Sequence, residues 1–364
     1  MSPVKGINFN INSMEMRRRI AKGLVASYDK VEGTWVDWER VLSDVSWRAI
    51  KYHRTGNSPE EIWPSEDDTL EVDYLLKPLL CLDHPSIIFG DYGSLKSMIA
   101  LVSAYVVQLP YHDNNLGLVT KTEPTRCLYL DYEDIGSSFR KRWSALDRGF
   151  GKGAAPILYK HMTLPLADSV EQVSNIISES KVKMIIVDSL GPAARGNLND
   201  SEPAIKYHAA LRHLGCTSLT LAHTSKDQFT RKKSIFGSVF FTNLARSVWE
   251  SKTEQEVEEG EVIVSLKQIK ANLSGLHPPL GYKFMFTNNS IAVNRADLME
   301  TSLSGELSLS TRVKGLLRGG AMSAKDIAET LDTNEASTRT ILNRLLKKGH
   351  LVKVGDSWGL SFEV

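Results

Sequence analysis

The chain has 364 residues, a formal net charge of +1 and a hydrophobic fraction of 42%. That length accommodates two or three domains, and the balanced charge excludes a polycationic surface over the whole molecule, so any nucleic-acid contact must be local. Three distant cysteines, Cys81, Cys127 and Cys216, offer no spacing for zinc or a disulfide framework. The polar, basic first residues, and the lack of an apolar run long enough for a bilayer, predict a soluble cytoplasmic chain without membrane contact.

Residues 1–72 read as a mainly helical N-terminal region. Basic and apolar residues alternate at helical spacing over 13–28, and 35–52 reads as a second helix. Ser58-Pro59-Glu60-Glu61 has the composition of a helix start, with a capping serine, proline at the first position and glutamate at the third. Trp35, Trp38, Trp47 and Trp63 concentrate the aromatic content here and suit core packing or an intersubunit contact. Residues 65–69 form an acidic linker or loop.

From 73 to 300 strands and helices alternate, the pattern of an α/β fold with a parallel sheet covered by helices. Strands are predicted at 86–89, 127–131, 156–159, 184–188 and 217–222, and further strands at 262–270, 282–286 and 290–294 extend one edge as hairpins. The apolar run before Gly90 and the apolar helix after Ser97 flank Gly90-Asp91-Tyr92-Gly93-Ser94-Leu95-Lys96-Ser97. This reads as a P-loop in which Leu95 takes the place of the second glycine, the alternative being a glycine-rich strand-to-helix turn that carries a lysine. A strand, a glycine-bearing turn and a helix N-terminus direct backbone N–H groups at one spot, where phosphate binds. Lys96 would reach the β- and γ-phosphates of ATP, and Ser97 would hold Mg²⁺.

Asp188 ends a hydrophobic strand and is a second candidate for Mg²⁺, since ligands of open α/β sheets sit at the strands' carboxyl ends. Glu133, just past another strand, is the candidate for polarising the attacking water, with Asp131 as the alternative. His223-Thr224 follows a fifth strand and can sense the γ-phosphate.

The order P-loop, Glu133, Asp188, His223-Thr224-Ser225-Lys226, Gly237-Ser238 resembles the RecA-like ATPases, in particular the branch of plasmid RepA-type hexameric replicative helicases, over about 75–295. The Gly237–Arg246 segment and Lys270-Ala271-Asn272 with Gly275 are similar to tracts of that branch. The resemblance implies that Arg246 and Lys270 act as cationic fingers on the γ-phosphate held by a neighbouring subunit, in a homo-oligomeric ring, a hexamer. It further implies that the loop with Lys226, Arg231, Lys232 and Lys233 faces the ring channel and grips single-stranded DNA; the same composition also suits a solvated loop.

Residues 301–310, rich in serine and leucine, read as a linker. Residues 311–364 then carry three helices and a hairpin, the order of a winged helix-turn-helix, with Ser323 and Asn334 as helix caps. In its third helix Leu342, Leu345 and Leu346 are expected to face the core. Ser337, Arg339, Thr340, Asn343 and Arg344 are candidates for a duplex groove, with Lys347, Lys348 and Lys353 on the backbone. A protein-contact role is the alternative for this domain. The expected activity is ATP-driven DNA unwinding or translocation in replication of a mobile element. The rivals are a regulatory DNA-binding ATPase and a DNA-binding assembly protein with little turnover, the last kept open by Leu95.

Overall fold

The computed structural model describes residues 10–11, 13–28, 36–55, 61, 63–64, 71–110, 114–120, 123–134, 136–151, 153, 156–225, 233–254 and 260–361. Two units are distinguished, Met1–Leu70 and Glu71–Val364. The first holds α1 (Met14–Tyr28) and α2 (Trp38–Thr55). Ser13 accepts the Met16 N–H at 3.2 Å, and Asp37 accepts the Arg40 N–H at 3.0 Å. The Asp37 cap explains why α2 begins three residues later than the apolar spacing suggests. Trp47 and Trp63 are 62% and 78% exposed, so neither is a core residue of this chain. Trp35, the start at Ser58-Pro59-Glu60 and the acidic stretch 65–69 lie outside the described residues.

The second unit opens with β1 (Tyr74–Lys77), β2 (Leu80–Cys81), β3 (Pro85–Gly90), α3 (Lys96–Gln108), β4 (Val119–Thr120) and β5 (Cys127–Asp131). It continues with α4 (Gly136–Gly149), β6 (Leu158–His161), α5 (Val170–Ser180), β7 (Met184–Asp188), α6 (Leu190–Ala194), α7 (Ser201–Leu214) and β8 (Thr217–His223). After α8 (Val239–Leu244) come β9 (Ser247–Thr253), β10 (Glu261–Ala271), β11 (Leu280–Phe286) and β12 (Ile291–Arg295).

Nine strands form one sheet in the order β12-β11-β10-β9-β3-β8-β7-β5-β6. The run from β9 to β6 is parallel, and β10, β11 and β12 extend it antiparallel. This bears out the α/β parallel-sheet core read from the sequence. Strand alternation splits the apolar side chains between two faces. Ile88, Tyr129 and Ile186 pack with Tyr105 of α3 and Leu146 of α4. Ile87, Leu128 and Ile185 pack with Val173 of α5 and Tyr207 of α7. The sheet is therefore buried on both sides, which is why its central strands read as unbroken apolar runs.

β9 was not predicted. Its Ser247, Glu250 and Ser251 look polar, yet each is under 10% exposed, because the strand is sandwiched between β3 and β10. It is the seam at which the sheet turns from parallel to antiparallel.

Residues 301–310 are not a free linker. A 3₁₀ turn (Ser302–Glu306) buries Leu303, and Glu306 accepts from Lys252 at 2.6 Å and Lys267 at 3.1 Å. Burial alone would push the Glu306 carboxyl up, but those two lysines outweigh it and hold it below its ordinary value. Beyond lie α9 (Leu309–Leu316), β13 (Met322–Ser323), α10 (Ala324–Thr330), α11 (Glu335–Lys347), β14 (Leu351–Val354) and β15 (Ser357–Leu360). They enclose their own core of Val313, Ile327, Leu342, Leu345 and Trp358. Leu346 departs from expectation. It is 37% exposed, and Thr338, fully buried, shares the inner face instead, its hydroxyl bonded to Thr333 at 2.9 Å.

Candidate functional site

The sheet register lines up four carboxyl-terminal strand ends. Gly90 of β3 pairs with His223 of β8, Leu221 of β8 with Asp188 of β7, and Asp188 with Asp131 of β5. Strands lie about 4.8 Å apart, so a P-loop and an acid two strands away are about 10 Å from each other across β8. Between them is a cavity of about 430 Å³ reached by Tyr92, Lys96, Ser97, Glu133, Asp188 and His223. No helix of the described residues is long and apolar enough to cross a membrane.

The loop is held by its own hydrogen bonds. Ser94 Oγ donates to the Asp91 carbonyl at 2.8 Å, and Ser251 Oγ of β9 donates to the Ser94 carbonyl at 2.6 Å. A Cβ on Gly90 would stand 2.4 Å from the Ser251 carbonyl oxygen, so β9 forces glycine there. Leu95, where a second glycine was absent, takes φ 55° and ψ 24°, the left-handed conformation that glycine supplies elsewhere. The backbone geometry of the loop is thus kept, at about 1 kcal/mol of strain, and the Leu95 side chain packs on the core formed by α3. No side chain caps the first turn of α3, which leaves its N–H groups for a ligand.

Lys96 Nζ donates to the Gly90 carbonyl at 3.0 Å, the Asp91 carbonyl at 2.8 Å and Ser94 Oγ at 3.3 Å. Burial pulls its ammonium below the ordinary lysine value, against the opposing charges of Asp188, Glu133 and Asp91. Asp188 is 7% exposed, and burial raises its carboxyl above the ordinary range. Tyr129, which donates to Asp188 Oδ2 at 2.5 Å, and Ser97, hydrogen-bonded to the same carboxylate, oppose that rise. Ser97 and Asp188 thus meet, as expected of a pair holding Mg²⁺. A hydroxyl and a carboxylate are the hard oxygen donors that ion takes, and it ordinarily keeps waters and phosphate oxygens besides. Among the described residues no cluster of three or more His, Cys, Asp or Glu could hold a metal unaided. The donor set fits Mg²⁺ bound with a nucleotide.

Glu133 is fixed by Ser189, whose hydroxyl donates to Glu133 Oε1, and His223 Nε2 lies 3.6 Å from the same oxygen. Asp131, the alternative base, is instead spent on the loop. It accepts the N–H groups of Glu133 and Asp134 at 3.0 and 2.9 Å and is 1% exposed. Thr224 donates to Asp91 Oδ1 at 2.5 Å, and Lys233 pairs with Asp91 Oδ2. Hydrogen bonds from Lys233, then Thr224, hold the Asp91 carboxyl below its ordinary value. Lys233, expected on nucleic acid, is therefore engaged at the P-loop, while Lys226, Arg231 and Lys232 lie outside the described residues.

Arg246 and Lys270 are not in this cavity. The Arg246 N–H bonds to the Pro85 carbonyl, at the opposite end of β3 from Gly90. A strand of that length places the two about 16 Å apart. The Arg246 side chain is exposed and has no acidic partner among the described residues; Glu250, four residues on, lies beside Lys252 instead. Lys270 differs from expectation. Its ammonium donates to the carbonyls of Thr242, Asn243 and Ala245 at 2.8, 2.7 and 2.8 Å, closing the end of α8. All three of its protons are used within the chain. Gly237, at φ 104°, lets the segment before α8 pass within 2.6 Å of the Leu198 carbonyl, measured from where a Cβ would be. Ser238 then caps α8.

On α11, Ser337, Thr340, Asn343 and Lys347 are exposed. Arg339 is paired with Glu335 at 2.7 Å, and Lys353 lies 5.4 Å over the Trp358 ring. Arg344 departs from the expected groove face. It turns toward α9 and donates to Ser310 Oγ at 2.6 Å.

Sequence reasoning missed Tyr129, Ser189 and Arg142 around the cavity. The first two flank recognised acids in space, and no spacing rule announces them. Arg142 is six residues into α4 and pairs with Asp134 at 3.1 Å.

Residues 61–228 match the family model described as the AAA domain. Among solved structures, the chain is similar to a KaiC-like protein from the hyperthermophilic archaeon Pyrococcus horikoshii OT3. The two share 15% identity with a TM-score of 0.43, over 60% of this chain and 93% of that one. No curated protein matches the chain. The AAA-domain match takes in the P-loop, Glu133, Asp188 and His223 and ends before Arg246.

Proposed function

We propose that this chain hydrolyses ATP at a site completed by a neighbouring copy in a homo-oligomeric ring, a hexamer by resemblance, and uses the cycle to move along or unwind DNA. The observation that carries the reading is the single cavity in which Lys96, Ser97, Asp188, Glu133 and His223 meet at the P-loop. Lys96 exchanges the loop carbonyls it now holds for β- and γ-phosphate oxygens. Ser97 and Asp188 would hold Mg²⁺, which would neutralise charge on the phosphates. Glu133, oriented by Ser189, accepts a proton from the attacking water. His223 reports the loss of the γ-phosphate through Thr224 to Asp91 and Lys233, at the foot of the basic loop.

Arg246 supplies the missing cation in trans. It is exposed, lacks an acidic partner among the described residues and stands about 16 Å along β3 from its own P-loop. Lys270, committed to α8, positions the segment that carries Arg246. The C-terminal module is read as a winged helix whose α11 ridge of Thr340, Asn343 and Lys347 enters a duplex groove. Single-stranded DNA is expected to raise ATP turnover severalfold, and Lys96→Ala to abolish turnover with or without DNA. Unchanged turnover in Lys96→Ala removes the assignment.

The strained Leu95 favours a second reading, a DNA-binding regulator or assembly protein with slow turnover. A strand-displacement assay separates the two, since only a motor releases the displaced strand as ATP is consumed.

A further inference from the structure

Outside the P-loop cavity, a crevice of about 730 Å³ lies between the C-terminal module and the end of β12. Five cationic side chains reach it: Arg295 from β12, Lys314 from α9, Arg318 just beyond, and Arg344 and Lys348 at the end of α11. Among the described residues lining it, Asp297 is the one acid. That balance is far from the chain's overall +1.

Little among the described residues neutralises these charges. Arg318 and Asp297 are 3.4 Å apart, but both are largely exposed, so the pair is weak. Arg344 bonds to a neutral hydroxyl, and Arg295 sits 5.4 Å over the Tyr282 ring. Lys314 and Lys348 have no acidic partner among the described residues. His350 also lines the crevice, its Nδ1 buried without a hydrogen-bond partner among the described residues. Like charges drawn together without counter-charge repel one another, and an anion relieves that repulsion.

The chemistry of the lining selects the anion. Guanidinium forks match phosphate oxygens two at a time, and lysines add point charge. Pro278, Pro279, Leu298 and Met299 supply an apolar floor on which a base or sugar face can lie. Position decides the rest. Arg344 and Lys348 are each one residue on from Asn343 and Lys347, so the crevice borders the exposed ridge of α11 and a strand can run from one to the other.

We propose that this crevice binds the phosphate backbone of a nucleic-acid strand. The proposal does not depend on ATP hydrolysis and adds a second nucleic-acid surface to the exposed face of α11.

The test uses the full chain and a fluorescent oligothymidylate of about 20 nucleotides, a length that exceeds one ordinary single-strand site. Anisotropy is followed against salt. Lys314→Glu/Lys348→Glu is expected to weaken binding at least about tenfold, and Lys314→Arg/Lys348→Arg to retain it. The neutral pair Lys314→Gln/Lys348→Gln guards against misfolding. With an unchanged melting midpoint, its salt dependence is expected to be shallower by roughly 1.4, about 0.7 for each lost phosphate contact on a single strand. Wild-type affinity and salt slope in both the Glu and Gln variants overturn the proposal. Two other arms are run in a Lys96→Ala background. Loss of inorganic tripolyphosphate binding with oligothymidylate binding intact would assign the crevice to a free nucleotide and defeat the strand reading. Equal binding of labelled polyglutamate, lost in the same variants, would assign it to an acidic protein segment and do the same.

Discussion

Leu95 shows how one residue can keep a loop's geometry while breaking its sequence pattern. Its φ of 55° is open to a leucine at about 1 kcal/mol, and its side chain packs on the core. Leu95→Gly removes the strain but also removes that packing and adds backbone freedom, so its unfolding free energy should stay within about 1 kcal/mol of wild type. Leu95→Val should be worse, because a β-branched side chain at positive φ is a true outlier, and a loss of about 2 kcal/mol is expected. Urea denaturation of both checks this; a Val variant as stable as the Gly variant would mean that conformation does not govern this position. His208 makes a second residue-scale case. It is 1% exposed, its Nε2 faces the Phe241 carbonyl at 3.2 Å, and burial pushes its pKa down to about 4. Above pH 6.5 the imidazole is neutral in both folded and unfolded chains and contributes no slope. As pH falls from 6.5 toward 4 only the unfolded chain takes up the proton, so about 2 kcal/mol of stability should be gone by pH 5. His208→Gln should flatten the stability profile between pH 6.5 and 5.

At the level of elements, what could be read in the sequence was what carries its own period. β5 and β7 are apolar runs ending in an acid, and both were placed to the residue. The P-loop, Glu133 and Asp188 were legible because each stands at the carboxyl end of an apolar strand. β9 was not, because the hydroxyls of Ser247 and Ser251 meet Gln268 of β10 and the Ser94 carbonyl of the P-loop, partners that sequence cannot show. The role of Lys270 was hidden for the same reason. It sits on β10 but serves α8, whose last carbonyls have no other donor within a helix of six residues. Burial first, and the nearby Arg246 second, lower its ammonium's pKa. Lys270→Met keeps the aliphatic stem and deletes three hydrogen bonds to those carbonyls. A loss of about 2 kcal/mol in urea unfolding is expected. Arg246→Ala, at an exposed position without an acidic partner among the described residues, should change stability by less than about 0.5 kcal/mol.

At the level of the whole molecule, the contrast between these two cations decides whether the site is shared. The parallel strands run in one direction, so the P-loop and Arg246 occupy opposite ends of β3 within one chain. In a closed ring the contacts are heterologous, and one end of each copy meets the other end of the next. Arg246 can then reach a neighbour's phosphates although it is far from its own. Arg246→Ala subunits would bind nucleotide normally through Lys96 and fail to supply charge to the adjacent site. Mixed with wild type at increasing proportions, they should depress ATP turnover in step with the fraction of mutant neighbours. Lys96→Ala subunits, which still carry Arg246, should restore the partner site. Equal mixtures of Arg246→Ala and Lys96→Ala chains should therefore recover activity that neither has alone. In a random ring about a quarter of interfaces would pair an intact Lys96 with an intact Arg246, so about a quarter of wild-type turnover is expected where sites act independently. Complete silence of that mixture, with assembly verified by sedimentation and nucleotide still bound by the Arg246→Ala chains, would place Arg246 outside the shared site.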